Sequence, residues 1–233
     1  LAAGERLGAT QAPHWQARKP RTGALPSLQA LVGPPITETG VLVCGGGTGG
    51  AIAALAAARA GSQTTVIEAS PFLGGIGAGG GIHVYYLGIQ GGLQDEVDER
   101  VKQLAPAFGP LAKCNGFNPE AKKSVLHQMA SEAGVQVILN TTVTGVETHD
   151  LPQTLPARTG GRPPRRLAGV VIANADGAAT LRAANTIDAT GDGDVAAMAG
   201  APCTFGRETD GLTHAYSLAG SRWEERGYLR VVN

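Results

Sequence analysis

The stretch Val41-Leu42-Val43-Cys44-Gly45-Gly46-Gly47-Thr48-Gly49-Gly50 passes from an apolar run directly into a glycine cluster. Four apolar residues without alternation read as a short strand buried on both faces. Gly45, Gly47 and Gly50 then give the spacing G-x-G-x-x-G at the point where the strand turns into a helix, the context in which this spacing signifies dinucleotide binding. Gly45 permits the tight turn, Gly47 lets a pyrophosphate reach bare backbone, and Gly50 allows strand and helix to pack closely. Gly46 and Gly49 add clearance, and the helix start, from Thr48, offers N–H donors to an anion. Ala51 to Ala60, nearly all Ala, Leu and Ile, predicts a helix stopped by Gly61. Thr64 to Ile67 is β-branched and predicts a second, parallel strand closing on Glu68. Glu68 stands 18 residues past Gly50, where a carboxylate accepts hydrogen bonds from ribose hydroxyls and repels a 2′-phosphate.

Outward from this unit, residues 73–92 are too rich in glycine for an ordinary helix or strand and read as backbone laid over a ligand. Leu93, Val97, Val101 and Leu104 recur at helical intervals, and Asn118-Pro119 opens another helix that runs to Ala133 and stops at Gly134. Val135 to Leu139 predicts a third apolar strand. Thr142 to Thr148 and Leu167 to Ala173 predict a β-meander, interrupted by a Pro-, Arg- and Gly-rich mobile loop over 151–166. Ala184 to Ala189 predicts a fourth core strand, which delivers Thr190-Gly191-Asp192 to the mouth of a helix ending at Ala199. The stretches 207–218 and 223–233 read as strands and loops of a further layer.

The pairing of VLVCGGGTGG and VIEASPFLGG with TIDATGDGDVAAMAGAP resembles the glutathione-reductase-like FAD superfamily, and within it the FAD-dependent oxidoreductase family related to fumarate reductase flavoproteins. The segments GFNPEAKKSVLHQMASEAGVQVILNTTVTGV and GRETDGLTHAYSLAG are similar to the family as well, so the likeness covers roughly residues 40–220. It implies an α/β fold: a Rossmann-like FAD-binding domain with a parallel sheet, helices and a β-meander, followed by the start of a substrate domain. It also implies FAD contacts at Gly45, Gly47, Thr48, Gly49, Gly50, Glu68, Ala69, Gly74, Gly75, Val143, Thr190, Gly191 and Asp192. In the family the Thr-Gly-Asp turn lies near the pyrophosphate and ribityl chain, which makes Asp192 an acceptor for FAD, and the position of Val143 meets adenine through its backbone. Some fumarate reductase relatives attach FAD to a His roughly eight residues after the ribose Glu. This chain has Ile76 there, so non-covalent FAD is expected.

Catalytic groups are less marked. His83, Tyr85 and Tyr86 follow the glycine cover, and His214, Tyr216 and Arg207 follow the second turn; of these His83, Tyr85 and His214 are the candidate proton acceptors or substrate contacts. The resemblance implies hydride transfer from a small organic substrate to flavin N5, with reoxidation by oxygen or another acceptor. The alternatives are a non-catalytic FAD-binding regulatory or structural subunit, an NAD-only module, or a flavin monooxygenase, although no Arg-rich or Trp-x-Trp-x-x-Pro pattern of the last class occurs.

Nineteen basic and nineteen acidic residues cancel, which removes the electrostatic reason to expect nucleic acid or an anionic membrane as partner. Cys44, Cys114 and Cys203 are too far apart for a CxxC metal or redox pair, and no metal is expected. The organisation expected is an irregular Pro-rich arm over 1–39, an FAD-binding domain over 40–204, and the beginning of a substrate domain over 205–233. Because the family usually completes its substrate domain after the Asp turn, a second polypeptide is expected to do so here, giving a hetero-oligomer. Leu rather than Met at position 1 fits proteolytic processing of a precursor.

Overall fold

The computed structural model describes residues 39–84, 91–109, 116–151, 165–203, 221–223 and 229–231. The stretch that decides the fold forms β1 (Thr39–Cys44) and α1 (Thr48–Arg59), and β2 (Thr64–Ile67) returns beside β1 in parallel, with Val41 opposite Thr64 and Cys44 opposite Ile67. After the glycine segment come α3 (Leu93–Leu104) and α4 (Pro119–Glu132), then β3 (Gln136–Ile138), β4 (Thr142–Asp150), β5 (Arg165–Asn174), β6 (Gly177–Leu181), β7 (Ala183–Asp188) and α5 (Asp194–Met198). A short antiparallel pair, β8 (Ser221–Trp223) and β9 (Leu229–Val231), follows.

The parallel sheet has the order β3-β2-β1-β7, and a separate antiparallel sheet has the order β4-β5-β6. Alternation along β1 explains how the two are joined. Val43 points to a core shared with Leu55 of α1, Val97 and Val101 of α3, and Val125, Leu126 and Met129 of α4. Leu42 and Cys44 point the other way, onto Val170 and Ile172 of β5, Leu181 of β6 and Val195 of α5. Helices therefore cover one face of the parallel sheet and the meander the other, so β1 is buried on both faces, as its unbroken apolar run requires. Complete burial of a side chain such as Leu55 or Met129 stabilises the fold by roughly 1.5–3 kcal/mol. This is an α/β, Rossmann-like fold.

Helix ends follow local chemistry. The Asn118 side chain accepts from the N–H groups of Glu120 and Ala121, capping α4, and Pro119 occupies the first turn where no N–H is needed. Arg59 of α1, Glu96 and Arg100 of α3, and Glu132 of α4 form a continuous ion-pair chain over the helical layer.

Several expectations need correction. The glycine segment contains a helix, α2 (Gly75–Gly79), where none was expected. The meander has a third strand, β6, whose Ala-rich sequence gives little β signal. The expected loop over 151–166 ends earlier, because Arg165 and Arg166 pair with Asp150 and His149. Finally, β7 is not a core strand: it edges the parallel sheet, and none of its six residues is buried. The expected strand and loop layer over 207–218 lies outside the described residues, as do residues 1–38 of the arm expected over 1–39, whose last residue, Thr39, instead opens β1. Among the described residues, no helix is long and apolar enough to cross a membrane.

Candidate functional site

The turn after β1 is built by close backbone approach. Gly45 has φ +101°, and a Cβ there would overlap the carbonyl oxygen of Ala189, so only glycine fits. At Gly50 an added Cβ would overlap the Gly45 carbonyl oxygen and lie 3.0 Å from the Cβ of Ala189. Strand β1, helix α1 and the end of β7 thus meet without side chains between them. Gly47 differs: a Cβ there meets nothing within 4 Å. It is the N-cap of α1 and has no capping side chain. The N–H groups of Thr48, Gly49 and Gly50 have no carbonyl of their own helix to bond, and all three residues line a cleft. That is the chemistry of an anion seat.

At one end of the cleft stands Glu68. Its Oε2 accepts from the N–H of Gly46 at 2.6 Å and its Oε1 from the N–H of Ser70 at 2.7 Å, so the carboxylate is held in place by backbone. Each oxygen keeps a free lone pair for a hydroxyl donor. Thr141 N–H donates to the Glu68 carbonyl at 2.9 Å, which brings Thr141, Thr142 and Val143 to the same end. A register shift between Val143 and Gly145 bends β4 there.

The glycine cover packs onto the first turn. Gly74 N–H donates to the Gly46 carbonyl at 2.9 Å, the Thr48 hydroxyl reaches the Gly74 carbonyl at 3.4 Å, and a Cβ on Gly75 would stand 2.9 Å from the Cα of Gly47. Helix α2 is formed by these contacts rather than by propensity.

The other end is the turn after β7, where Gly191 (φ +96°) and Gly193 (φ +74°) border the cleft with Ala189, Thr190 and Asp194. Asp188, which the sequence reading did not single out, organises it. Its Oδ1 accepts from the N–H and the hydroxyl of Thr190 at 3.1 and 2.7 Å, and its Oδ2 accepts from the N–H of Ala196 at 2.8 Å. The Thr190 hydroxyl oxygen in turn accepts from the N–H of Asp194 at 2.9 Å. Burial pushes the Asp188 carboxyl up, but the bonds from the Thr190 hydroxyl and from the N–H groups of Ala196, Thr190 and Val195 outweigh it, and the net shift is downward. A carboxylate two residues before a Thr, at the end of a strand, was the available signal.

The cleft so bounded measures about 970 Å³, within the range of cofactor sites. Eleven of the thirteen residues expected to contact FAD line it: Gly45, Gly47, Thr48, Gly49, Gly50, Glu68, Ala69, Gly75, Val143, Thr190 and Gly191. Gly74 lies behind Gly75, and Asp192 is exposed at the tip of the turn. Among the described residues the lining carries Glu68, Asp188 and Asp194 and no Lys or Arg, so there an anionic ligand is met by backbone N–H groups rather than by cations. His83 sits elsewhere, in a separate cavity of about 580 Å³ with Val84, Asp98, Lys102, Phe117 and Asn118. Its Nδ1 donates to the Gly81 carbonyl at 3.1 Å. Tyr85 and His214 lie outside the described residues. Among the described residues no group of three or more His, Cys, Asp or Glu is arranged to hold a metal.

A family model described as FAD dependent oxidoreductase matches residues 40–225. No curated protein matches the chain. Among solved structures, the chain is similar to THI4 of Thermovibrio ammonificans, at 21% identity and a TM-score of 0.43 over 69% of this chain and 61% of that one. It is similar also to a geranylgeranyl bacteriochlorophyll reductase-like protein of Thermoplasma acidophilum, at 24% and 0.45 over 70% and 42%. A flavoprotein/dehydrogenase of Cytophaga hutchinsonii gives 19% and 0.45 over 74% and 44%. The chain thus spans less than two thirds of the length of each of these proteins.

Proposed function

The chain belongs to the FAD dependent oxidoreductase family, with FAD as its cofactor, and we propose that it holds FAD non-covalently in the cleft between its two glycine turns and serves the oxidation of a small organic substrate. The observation that carries this reading is the contact between the turns: an added Cβ at Gly45 would lie 3.1 Å from the N–H nitrogen of Thr190, so both bends border one cleft and can share one ligand.

The residues present fit that cofactor. Open space at Gly47 and the bare N–H groups of Thr48 to Gly50 suit a diphosphate, the acceptor lone pairs of Glu68 suit an adenosine ribose, and the Gly191–Gly193 backbone suits the ribityl side. With no cation lining the cleft among the described residues, the α1 N-terminus balances the diphosphate charge. The chemistry supplied by bound FAD is acceptance of a hydride at N5, with reoxidation by oxygen or another acceptor. This chain's residues bind and orient. Proton removal from the substrate is assigned to His83, Tyr85 or His214 or to groups outside the chain. His83 lines the second cavity beside Gly116, where an added Cβ would lie 2.8 Å from its ring Cδ2.

In this reading residues 40–204 form the FAD-binding unit, 205–233 begin the substrate domain, and a partner polypeptide covers the exposed β7 edge in a hetero-oligomer. Support comes from β7, which edges the sheet and leaves Ile187, a cleft residue, 36% exposed.

Absorbance and mass test the proposal together. The purified protein should show flavin bands, release intact FAD on denaturation, co-purify with a second chain, and lose its visible band when substrate is added without oxygen. Flavin bands that no substrate bleaches would instead favour a non-catalytic FAD-binding subunit.

A further inference from the structure

The second turn is fixed from within by a single carboxylate. Asp188, at the end of β7, takes hydrogen bonds from the N–H and hydroxyl of Thr190 and from the N–H of Ala196, and the same hydroxyl oxygen takes the N–H of Asp194. Donors at the start of α5 are thereby consumed by the protein itself. This has a consequence for the cleft: α5 presents its first turn to Asp188 and Thr190, so the negative charge favoured at a helix start is supplied internally. What faces the cleft is the intervening loop, where Gly191 and Gly193 have left-handed backbone and an added Cβ would meet nothing within 4 Å; the Gly193 carbonyl accepts from the N–H of Ala197 at 2.9 Å. A glycine loop with open space where side chains would pack samples many conformations unless its two ends are anchored, and Asp188 anchors both, Thr190 before the glycines and Ala196 after them.

We propose that Asp188, acting through Thr190, is a positioning residue that pre-orders the Gly191–Gly193 loop for the flavin end of the cofactor, while the adenosine and diphosphate end is held independently by Glu68 and α1. This rests on the assignment of FAD to the cleft. Removing the clamp leaves the loop's ordering cost to be met on binding, which weakens only ligands that reach the loop.

The test compares FAD with ADP, a probe that carries only the adenosine and diphosphate, by titration of the apoprotein. In Asp188→Asn the amide keeps an acceptor for Thr190 but turns an NH2 group toward the N–H of Ala196. FAD affinity should fall roughly tenfold to a hundredfold, the range for loss of hydrogen bonds to a charged group, while ADP affinity stays within about twofold. Thr190→Val should reproduce part of the FAD loss and Thr190→Ser should restore it. In the double variant Asp188→Asn/Thr190→Val the losses should be less than additive, because both act on one network. The proposal is overturned if Asp188→Asn binds FAD like the parent, if FAD and ADP weaken in parallel, or if the two losses add in full. Should Asp188→Asn fail to fold, the Thr190 pair decides by the same FAD-to-ADP comparison. A parent protein that binds ADP but not FAD would overturn the cofactor assignment itself.

Discussion

Gly47 and Gly50 lie three residues apart, yet one added methyl group should have opposite effects at them. At Gly50 it collides with the Gly45 carbonyl, so Gly50→Ala should destabilise the fold by about 2–4 kcal/mol, read as a lowered melting temperature whether or not FAD is present. At Gly47 it enters open cleft, so Gly47→Ala should melt like the parent while its FAD affinity drops on the order of tenfold or more. A Gly50→Ala variant that melts like the parent would contradict the turn geometry. The cysteines give a second residue-scale contrast. Cys44 is fully buried, and burial, with a smaller contribution from the Asp188 charge, pushes its thiol up to about 12, whereas Cys203 is exposed. Peptide mapping after a thiol reagent at pH 8 should find Cys203 modified and Cys44 untouched until the protein is unfolded.

Among the elements, the helical layer depends on Glu96, which bridges Arg59 of α1 and Arg100 of α3. The hydrogen bond from Arg59 comes first in holding its carboxyl down to about 2; the Arg59 and Arg100 charges assist, against an opposing push from desolvation. The folded value lies below the ordinary one of 4.5, so the contribution is complete above that pH and is lost as pH falls toward 2. With the side chain 32% exposed, solvent screens the pair, and Glu96→Gln should cost no more than about 1 kcal/mol at pH 7. That difference should vanish near pH 2 and shrink in high salt; denaturant melts of both proteins across pH would show it.

At this scale the sequence was readable where local preference and burial agree. The β1-α1-β2 unit, α3 and α4 declare themselves through unbroken apolar runs, helical spacing and the Asn118-Pro119 start. The elements that stayed hidden are made by tertiary contact. Helix α2 is a run of Gly, Ile and Ala that helix preference disfavours, and it forms because Gly74 and Gly75 dock on the first turn. Strand β6 has a single β-branched residue, Thr180, among small ones and is held by its register on β5. The stretch Ala184 to Ala189 reads as a core strand, yet Asn185, Thr186 and Asp188 make half of β7 polar, and pattern alone does not tell which strand lies at an edge. Asp188 escaped notice because its partners are backbone groups two and eight residues onward, and only the folded turn brings the latter near.

For the molecule as a whole, the charge around the cleft turns the account into a direct test. A diphosphate held by Lys or Arg binds less tightly as salt rises, but here, among the described residues, Glu68, Asp188 and Asp194 line the cleft without a Lys or Arg. Backbone N–H groups at the start of α1 must then do the holding, at short range and with little screening. The deciding measurement is a titration of the apoprotein with FAD at about 50 mM and about 500 mM salt. The account predicts saturation at one FAD per chain, with an affinity that changes by less than about threefold between the two conditions. Absence of saturable binding, or a loss of a hundredfold or more at the higher salt, would contradict it.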